Sequence, residues 1–446
     1  MKRESGGFDA LGCGLVPTAI RWGRGVSMTN RLANDGPRPD TDVSSSKLPP
    51  LADTGHVTVV SMGWPPMTTG SAVVMANLFR NFDPSSFTVV TASNSRYVRN
   101  DDGSVSASIG IVSSLLWSFR LDMYWRDLQI PIATRKLIRI VRANDSKVLL
   151  AVYPDYHFFK IARDAAKATR VPLLPYFHDT LLEPLAKSRL GHRAARLQAQ
   201  VFAEAANVLV MSRGMADLYE RKYHLQTVPI EHTYPEPIRA VPSATPPKRA
   251  AFWAGSIYGI NLRAARRIAS ALAKIKVPWK LTNQPPSEFW RGAEFDRDLI
   301  STSFFPSRNQ YLAALEGYGL LVLALDAADE SEIQEDELST IFPTKTPEYL
   351  ASGRPILVHC PDHYFLARFF RTNRCGVVVS DRTIDALAEA CRSILDGESS
   401  VAELTKNALD VAKQFSASRI ANRLGDEVQR ASRARWGERC DAGLRP

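Results

Sequence analysis

Long apolar runs are missing from this 446-residue chain: no stretch approaches eighteen consecutive apolar residues, so no segment is read as crossing a membrane. Cysteine is scarce as well. Cys13, Cys360, Cys375, Cys391 and Cys440 show no C-x-x-C spacing and join no His/Cys cluster. That argues against a disulfide framework or a structural zinc site and makes a reducing compartment the default. The first twenty residues hold no signal-peptide core, and the expected location is cytoplasmic. Neither G-x-G-x-x-G nor the P-loop pattern occurs, so dinucleotide and ATP use find no support. Acidic residues are in deficit, 46 against 56 basic, and the formal net charge of +10 favours anionic partners without choosing among them. Nucleic acid is the weakest of these, because the positive charge is spread out and no aromatic–basic interleaving appears.

What is present is the composition of a globular protein, 45% apolar and 23% charged, at a length suited to two domains. Short apolar runs alternate with amphipathic stretches of ten to twenty residues. Strands are expected at 57–62, 87–92, 147–153, 171–177 and 207–212, with an irregular polar region after 92 and an amphipathic stretch over 117–144. Thr69 or Ser71 would cap a first helix opening at Gly70. The proline-rich stretch PEPIRAVPSATPPKR breaks the pattern, which then restarts. Such alternation means parallel sheets covered by helices. The expected organisation is a flexible segment at 1–52, a Rossmann-like domain at 53–240, a linker at 241–249, a second Rossmann-like domain at 250–415, and a C-terminal helix and tail at 416–446 packing back on the first domain. Ligands of such sheets bind at the carboxyl ends of the strands, so a cleft between two facing domains is the natural site.

Several residues hold that address. His178 and Asp179 follow the strand 171–177, and Asp155 and His157 follow the strand 147–153. The loop before Gly70 opens a helix whose N–H groups would attract an anion. Over 185–201, Arg189, Arg193 and Arg196, with Lys187 and His192 nearby, line one face of a basic amphipathic helix, which suits an anionic membrane surface or acceptor as well as it suits a solvated face. The stretch FPTKTPEYLASGRPILVHCP, residues 342–361, sets Lys345 and Glu348 three apart on a helix, then turns at Gly353-Arg354-Pro355 into a buried strand. An i,i+3 ion pair on an exposed helix contributes only a few tenths of a kcal/mol. Stability alone does not call for that arrangement.

This last stretch, followed by RFFRTNRCGVVVS and the LAEACRSILDG helix, resembles the nucleotide-sugar site of the GT-B glycosyltransferases, in particular glycosyl transferase family 4. The resemblance runs from about 55 to 415 and takes in Gly70, the Y-x-H-D at His178 and the FWAGSIYGINLRAARRI opening of the second domain. It implies two Rossmann-like domains facing across a cleft, and a retaining transfer of sugar from a nucleotide donor, a UDP- or GDP-sugar, to a glycan, lipid-linked or small-molecule acceptor. Glu348 matches the glutamate that binds the ribose, Lys345 the lysine near the phosphates, Gly70 the glycine that lets the donor approach, and His178 the cleft histidine near the sugar. Arg263 would be the basic residue after the first strand of the donor domain. Ser71, Ser256 and Tyr349 complete the donor-binding set. No metal or other cofactor is implied, in keeping with the absence of an assigned D-x-D metal motif between strands. Residues 185–201 would provide peripheral contact with the inner membrane face.

The chain departs from the family pattern where many members carry E-x7-E, because Thr340 or Ile341, depending on how the spacing is counted, stands at the first glutamate's position and Glu335, Asp336 and Glu337 lie upstream. The second-domain loop lacks the usual lysine, and Thr69-Gly70-Ser71 replaces a glycine pair. The alternatives left open are a nucleotide-sugar epimerase of the same architecture, which a set of carboxylates in the cleft would mark and none is seen, and a non-catalytic nucleotide- or glycan-binding protein.

Overall fold

Near-continuous apolar runs such as VLLAVY and GLLVLAL are what a strand covered on both faces requires, and they become the centres of two parallel sheets. The computed structural model describes residues 55–65, 70–92, 98–99, 105–109, 122–186, 188, 190–238, 247–305, 307–397 and 399–439. The expected flexible segment at 1–52 and most of the expected linker at 241–249 lie outside them, as do Thr69, Lys187 and Arg189.

The first half runs β1 (Val57–Val60), α1 (Gly70–Phe79), β2 (Phe87–Thr91), β3 (Val98–Arg99), β4 (Val105–Ser108), α2 (Asp122–Ala143) and β5 (Val148–Tyr153). It continues with α3 (Tyr156–Thr169), β6 (Leu173–Phe177), α4 (Gly191–Glu204), β7 (Leu209–Val210), α5 (Arg213–Tyr223) and β8 (Val228–Pro229). The strands form one sheet in the order β3-β4-β2-β1-β5-β6-β7-β8, parallel except for β3 against β4. That edge pair arises in the stretch expected to be irregular. β3, at the edge, is short because an edge strand has one partner and does not need an apolar run, and β4 lies between it and β2.

The second half runs β9 (Lys248–Trp253), α6 (Leu262–Lys274), β10 (Trp279–Leu281), α7 (Ser287–Trp290), β11 (Ile300–Thr302), α8 (Arg308–Gly317) and β12 (Tyr318–Ala324). Then come α9 (Glu335–Leu338), α10 (Thr346–Ala351), β13 (Ile356–His359), α11 (Phe365–Thr372), β14 (Val377–Val379), α12 (Ile384–Asp396), α13 (Ser399–Ala412) and α14 (Ala417–Arg433). Its six strands are all parallel, in the order β11-β10-β9-β12-β13-β14. One core fills the first domain, and two more cover the two faces of the second sheet.

The chain crosses between the domains twice. Tyr234 on the outward passage donates its N–H to the carbonyl of Phe415, and Ala417 on the return donates to Tyr234 (2.8 and 3.2 Å). Helix α14 then lays Ile420, Ala421, Leu424 and Val428 into the first domain's core. Asn207 donates to Glu427 there (2.8 Å), and Arg423 pairs with Glu231 (2.8 Å). Leu424 is fully buried. Truncation at Leu424→Ala is expected to cost about 2–5 kcal/mol of the first domain's stability, read as a lower unfolding midpoint in denaturant.

Candidate active site

The carboxyl ends of both sheets carry the polar residues. At the end of β6, His178 donates its N–H to the carbonyl of Tyr153 and stacks edge-on against Tyr176. Its Nδ1 lies 2.8 Å from the hydroxyl of Ser71, in the first turn of α1, so the fold brings Gly70, Ser71 and His178 together. Burial, with the nearby His232, pushes the imidazole pKa down to about 3. His178 is therefore neutral at physiological pH, and its Nε2 is buried with no hydrogen-bond partner. Among the described residues, a Cβ at Gly70 would meet no atom within 4 Å. Packing does not demand glycine there, and the space above it is open.

In the second domain Lys345 reaches across to the end of β9. Its Nζ donates to the carbonyl of Ala254 and sits 4.0 Å above the centre of the Trp253 ring, a cation–π contact. The loop after β9 has no lysine of its own, and the Lys345 ammonium lies against it from a different segment. Burial pulls the Lys345 pKa down to about 7, only partly opposed by the charge of Glu348. Gly255 beside it has φ +86°, a left-handed conformation that favours glycine, and its N–H donates to Thr282 (2.8 Å). Ser256 is exposed on the same loop and accepts from the Asn283 amide (2.9 Å).

Lys345 and Glu348 do not pair with each other. Glu348 is buried and accepts from Arg308 Nη1 (2.9 Å) and from the Tyr311 hydroxyl (2.7 Å). Burial raises its carboxyl pKa, against the pull of Arg308. Arg308 also grips Glu236, on the passage between the domains, through two further hydrogen bonds. Neither Arg308 nor Tyr311 stands out in the sequence, because forty residues separate Arg308 from Glu348 and only the sheet brings them together.

Two expectations need correction. Tyr349 was expected in the donor-binding set, yet its side chain is fully buried and its hydroxyl accepts the N–H of Ala254 (2.8 Å). It holds the loop and has no surface to offer a ligand. Arg263, expected to help neutralise phosphates from the start of α6, has an exposed side chain, while the N–H groups of Arg263 (3.1 Å) and Ala264 (2.7 Å) are taken by the buried Asp326 carboxylate. Burial raises Asp326 to about 6. Finally, no carboxylate set was expected in the cleft, and there is one. Helix α9 packs against the turn at 183–185, and Glu337 lies close enough to Asp179 and Glu183 that burial and their charges push it up to about 7. One oxygen of Glu337 is buried without a partner. Tyr258, 49% exposed, shares this environment, its hydroxyl pushed up to about 12 by desolvation, Asp179 and Glu337.

Glu337 sits one helical turn before Thr340, whose hydroxyl donates back to the Glu337 carbonyl (2.9 Å) and whose own carbonyl accepts from Ser212 of the first domain (3.1 Å). The acid run that contains it was the signal, and the seven-residue spacing pointed past it. Elsewhere, Asp155 caps α3 by accepting from the Phe158 N–H and pairs with Arg126, a structural role (2.9 and 2.6 Å). His157 is buried. Arg193 is held by two hydrogen bonds to Asp127 (2.7 and 2.8 Å), leaving His192 and Arg196 exposed on α4. The one D-x-D spelling among the described residues, Asp296-Arg297-Asp298, is a turn in which Asp296 accepts from the Asp298 N–H (2.9 Å).

Comparison with known proteins adds the following. Residues 69–233 match the model of the glycosyl transferase 4-like domain. The structure is similar to sucrose-phosphate synthase from Thermosynechococcus elongatus, with TM-score 0.63 and 13% identity over 84% of this chain and 98% of that one. It is similar to Anabaena HepE solved with UDP, with TM-score 0.57 and 14% identity over 84% and 99%. It is also similar to the UDP-forming α,α-trehalose-phosphate synthase of Burkholderia xenovorans solved with glucose-6-phosphate, with TM-score 0.57 and 12% identity over 84% and 100%. At such identities the likenesses speak to the fold. No curated protein matches by sequence.

Tyr349→Phe keeps the ring and removes the acceptor of a buried N–H. It is expected to lower stability by about 1–3 kcal/mol, measured by denaturant unfolding, with the secondary structure unchanged.

Proposed function

Taking the chain as a glycosyltransferase of GT-B fold with a glycosyl transferase 4-like domain at residues 69–233, we propose that it transfers a sugar, with retention of configuration, from a UDP-sugar to a glycan or lipid-linked acceptor. The observation that carries the reading is the Lys345 ammonium, taken out of water at the carboxyl end of β9 and three residues before Glu348. A buried cation of depressed pKa costs free energy until an anion arrives. A nucleotide diphosphate is such an anion, and its charge grows as the sugar leaves, so Lys345 binds the transition state more tightly than the ground state.

Glu348 would accept the ribose hydroxyls. Arg308 and Tyr311 take one hydrogen bond on each carboxylate oxygen, which fixes the plane of the group and leaves further lone pairs for a diol. Uridine as the base is supported by the neighbours solved with UDP or described as UDP-forming. Neutral His178, its Nδ1 tied to Ser71, would turn the unpaired Nε2 toward a sugar hydroxyl. Glu337 would hold another hydroxyl of the transferred sugar, doing the work that the spacing rule assigns to position 340. Burial, then the charges of Asp179 and Glu183, raise its pKa, and this keeps it able to donate as well as accept near neutral pH. The protein's own residues supply all of these contacts, and no cofactor is needed for them. The 4-like domain supports a transferase over an epimerase.

Calorimetry with UDP, GDP, dTDP and ADP tests the reading. UDP is expected to bind in the micromolar range, and Lys345→Met and Glu348→Gln to weaken it at least about tenfold; equal or absent binding of all four would overturn it. Because free Lys345 must take up a proton to meet the diphosphate, UDP affinity should fall as pH rises above about 7, by up to about tenfold per unit, and Lys345→Met should lose that slope. Gly70→Val should leave stability within about 1 kcal/mol of the native protein, since no atom opposes the side chain, while donor turnover falls sharply in a sugar-release assay.

A further inference from the structure

Helix α2 carries a strip that nothing in the described structure covers. Trp125 is 43% exposed, Leu128 70% and Ile132 57%, and Arg135, Arg139 and Arg142 continue the same line, all exposed. Steps of three and four residues keep these six on one side of the helix. Lys136 flanks the basic half. None of these four cations takes part in an ion pair among the described residues, unlike Arg126 and Asp127 one turn away. The opposite side, with Ala133, Leu137 and Val141, is buried in the first domain's core. Scattered exposed apolar residues are ordinary. Three in register, running directly into four cations with no ion pair among the described residues, are the composition of a helix that lies at a lipid interface.

The strip is also aimed. Arg126 donates to Asp155 at the start of α3 (2.6 Å), so the first turns of α2 lie at the carboxyl end of β5, the end on which the cleft opens. The helix then runs back to the other end of that strand, where the turn at Asp145 and Ser146 leads into β5. The apolar half is therefore nearest the cleft, and the basic half furthest from it.

We propose that this strip docks the protein on an anionic phospholipid bilayer, with Trp125, Leu128 and Ile132 entering the acyl boundary and Arg135, Lys136, Arg139 and Arg142 resting on the head groups. Cations near such a surface each add attraction that salt weakens. The contact belongs on α2 and not on 185–201, where Arg193 is already bound to Asp127. It deepens the proposed function by making the acceptor lipid-linked, since the apolar end of the strip would deliver a membrane-borne substrate to the cleft; it rests on that reading for the acceptor alone.

The test is sedimentation of the full chain with vesicles of phosphatidylcholine, with and without phosphatidylglycerol. Binding is expected only to the anionic vesicles and to weaken with salt. Leu128→Glu with Ile132→Glu, and separately Arg135→Glu with Arg139→Glu, should each reduce it at least about tenfold, while Arg196→Glu on α4 leaves it unchanged. Each variant's UDP affinity and far-UV dichroism should match the native protein, which separates a lost membrane contact from a lost fold. No binding of the native chain to anionic vesicles, or binding indifferent to the Leu128 and Ile132 changes, would overturn the proposal. So would a native dimer that those two changes dissociate, since a second copy would then cover the strip. Failure of UDP binding with vesicle binding intact would overturn the donor reading and leave this one standing.

Discussion

A lysine held out of water organises the second domain's end of the cleft. The ammonium of Lys345 rests on the carbonyl of Ala254 and the face of Trp253, and both partners belong to the loop that closes β9. Tyr349, one turn along the same helix, takes the N–H of that same Ala254. Tyr349 of α10 and Lys345 at its N-cap thus fix both polar groups of one residue. The loop's shape, the left-handed Gly255 and the position of the charge are a single solution. A neutral side chain in place of Lys345 would relieve the burial cost and remove the reason for the arrangement.

A second network ties Glu348 to the passage between the domains. Arg308 holds Glu348 on one side and Glu236, on the passage between domains, on the other. The returning passage lies against the same segment through Tyr234 and Phe415. Contacts between the domains are close: a Cβ on Gly214 of α5 would fall 2.6 Å from Phe365 of α11, and Lys222 bridges Glu183 and Asp336 (3.1 and 2.5 Å). Glu183 and Glu337 face each other across this same region, so the carboxylate set exists only where the two halves meet.

That dependence explains what the sequence disclosed and what it withheld. The buried strands were legible, because a strand covered on both faces must be apolar along its length, as Val148–Tyr153 and Tyr318–Ala324 are. The edge strand β3 and its neighbour β4 were not, since short polar strands look like a loop. Lys345 and Glu348 were legible as a pair of unlike charges before a sharp turn. Their actual partners were not, because Arg308, Tyr311 and Ala254 come from strands and helices far along the chain. Tyr349 was misread for the same reason: one aromatic in a motif looks the same whether it faces a ligand or a neighbouring loop. Glu337 was hidden by a spacing rule that ended on Thr340, whereas the fold needs only a carboxylate on that side of α9. The exposed strip of α2 was visible as amphipathic periodicity, but only burial tells which of two faces is the core.

The account turns on the charge state of Lys345, and that can be observed directly. In protein labelled at the lysine side-chain nitrogens, with Lys345 assigned by its absence in Lys345→Met, an NMR titration would follow Nζ from pH 5 to pH 10. A midpoint near 7 in the free protein, moving up by at least about a unit when UDP is bound, is the predicted result. A midpoint close to that of an ordinary lysine in the free protein, or one that UDP leaves where it was, would contradict the claim that this buried cation is what holds the diphosphate.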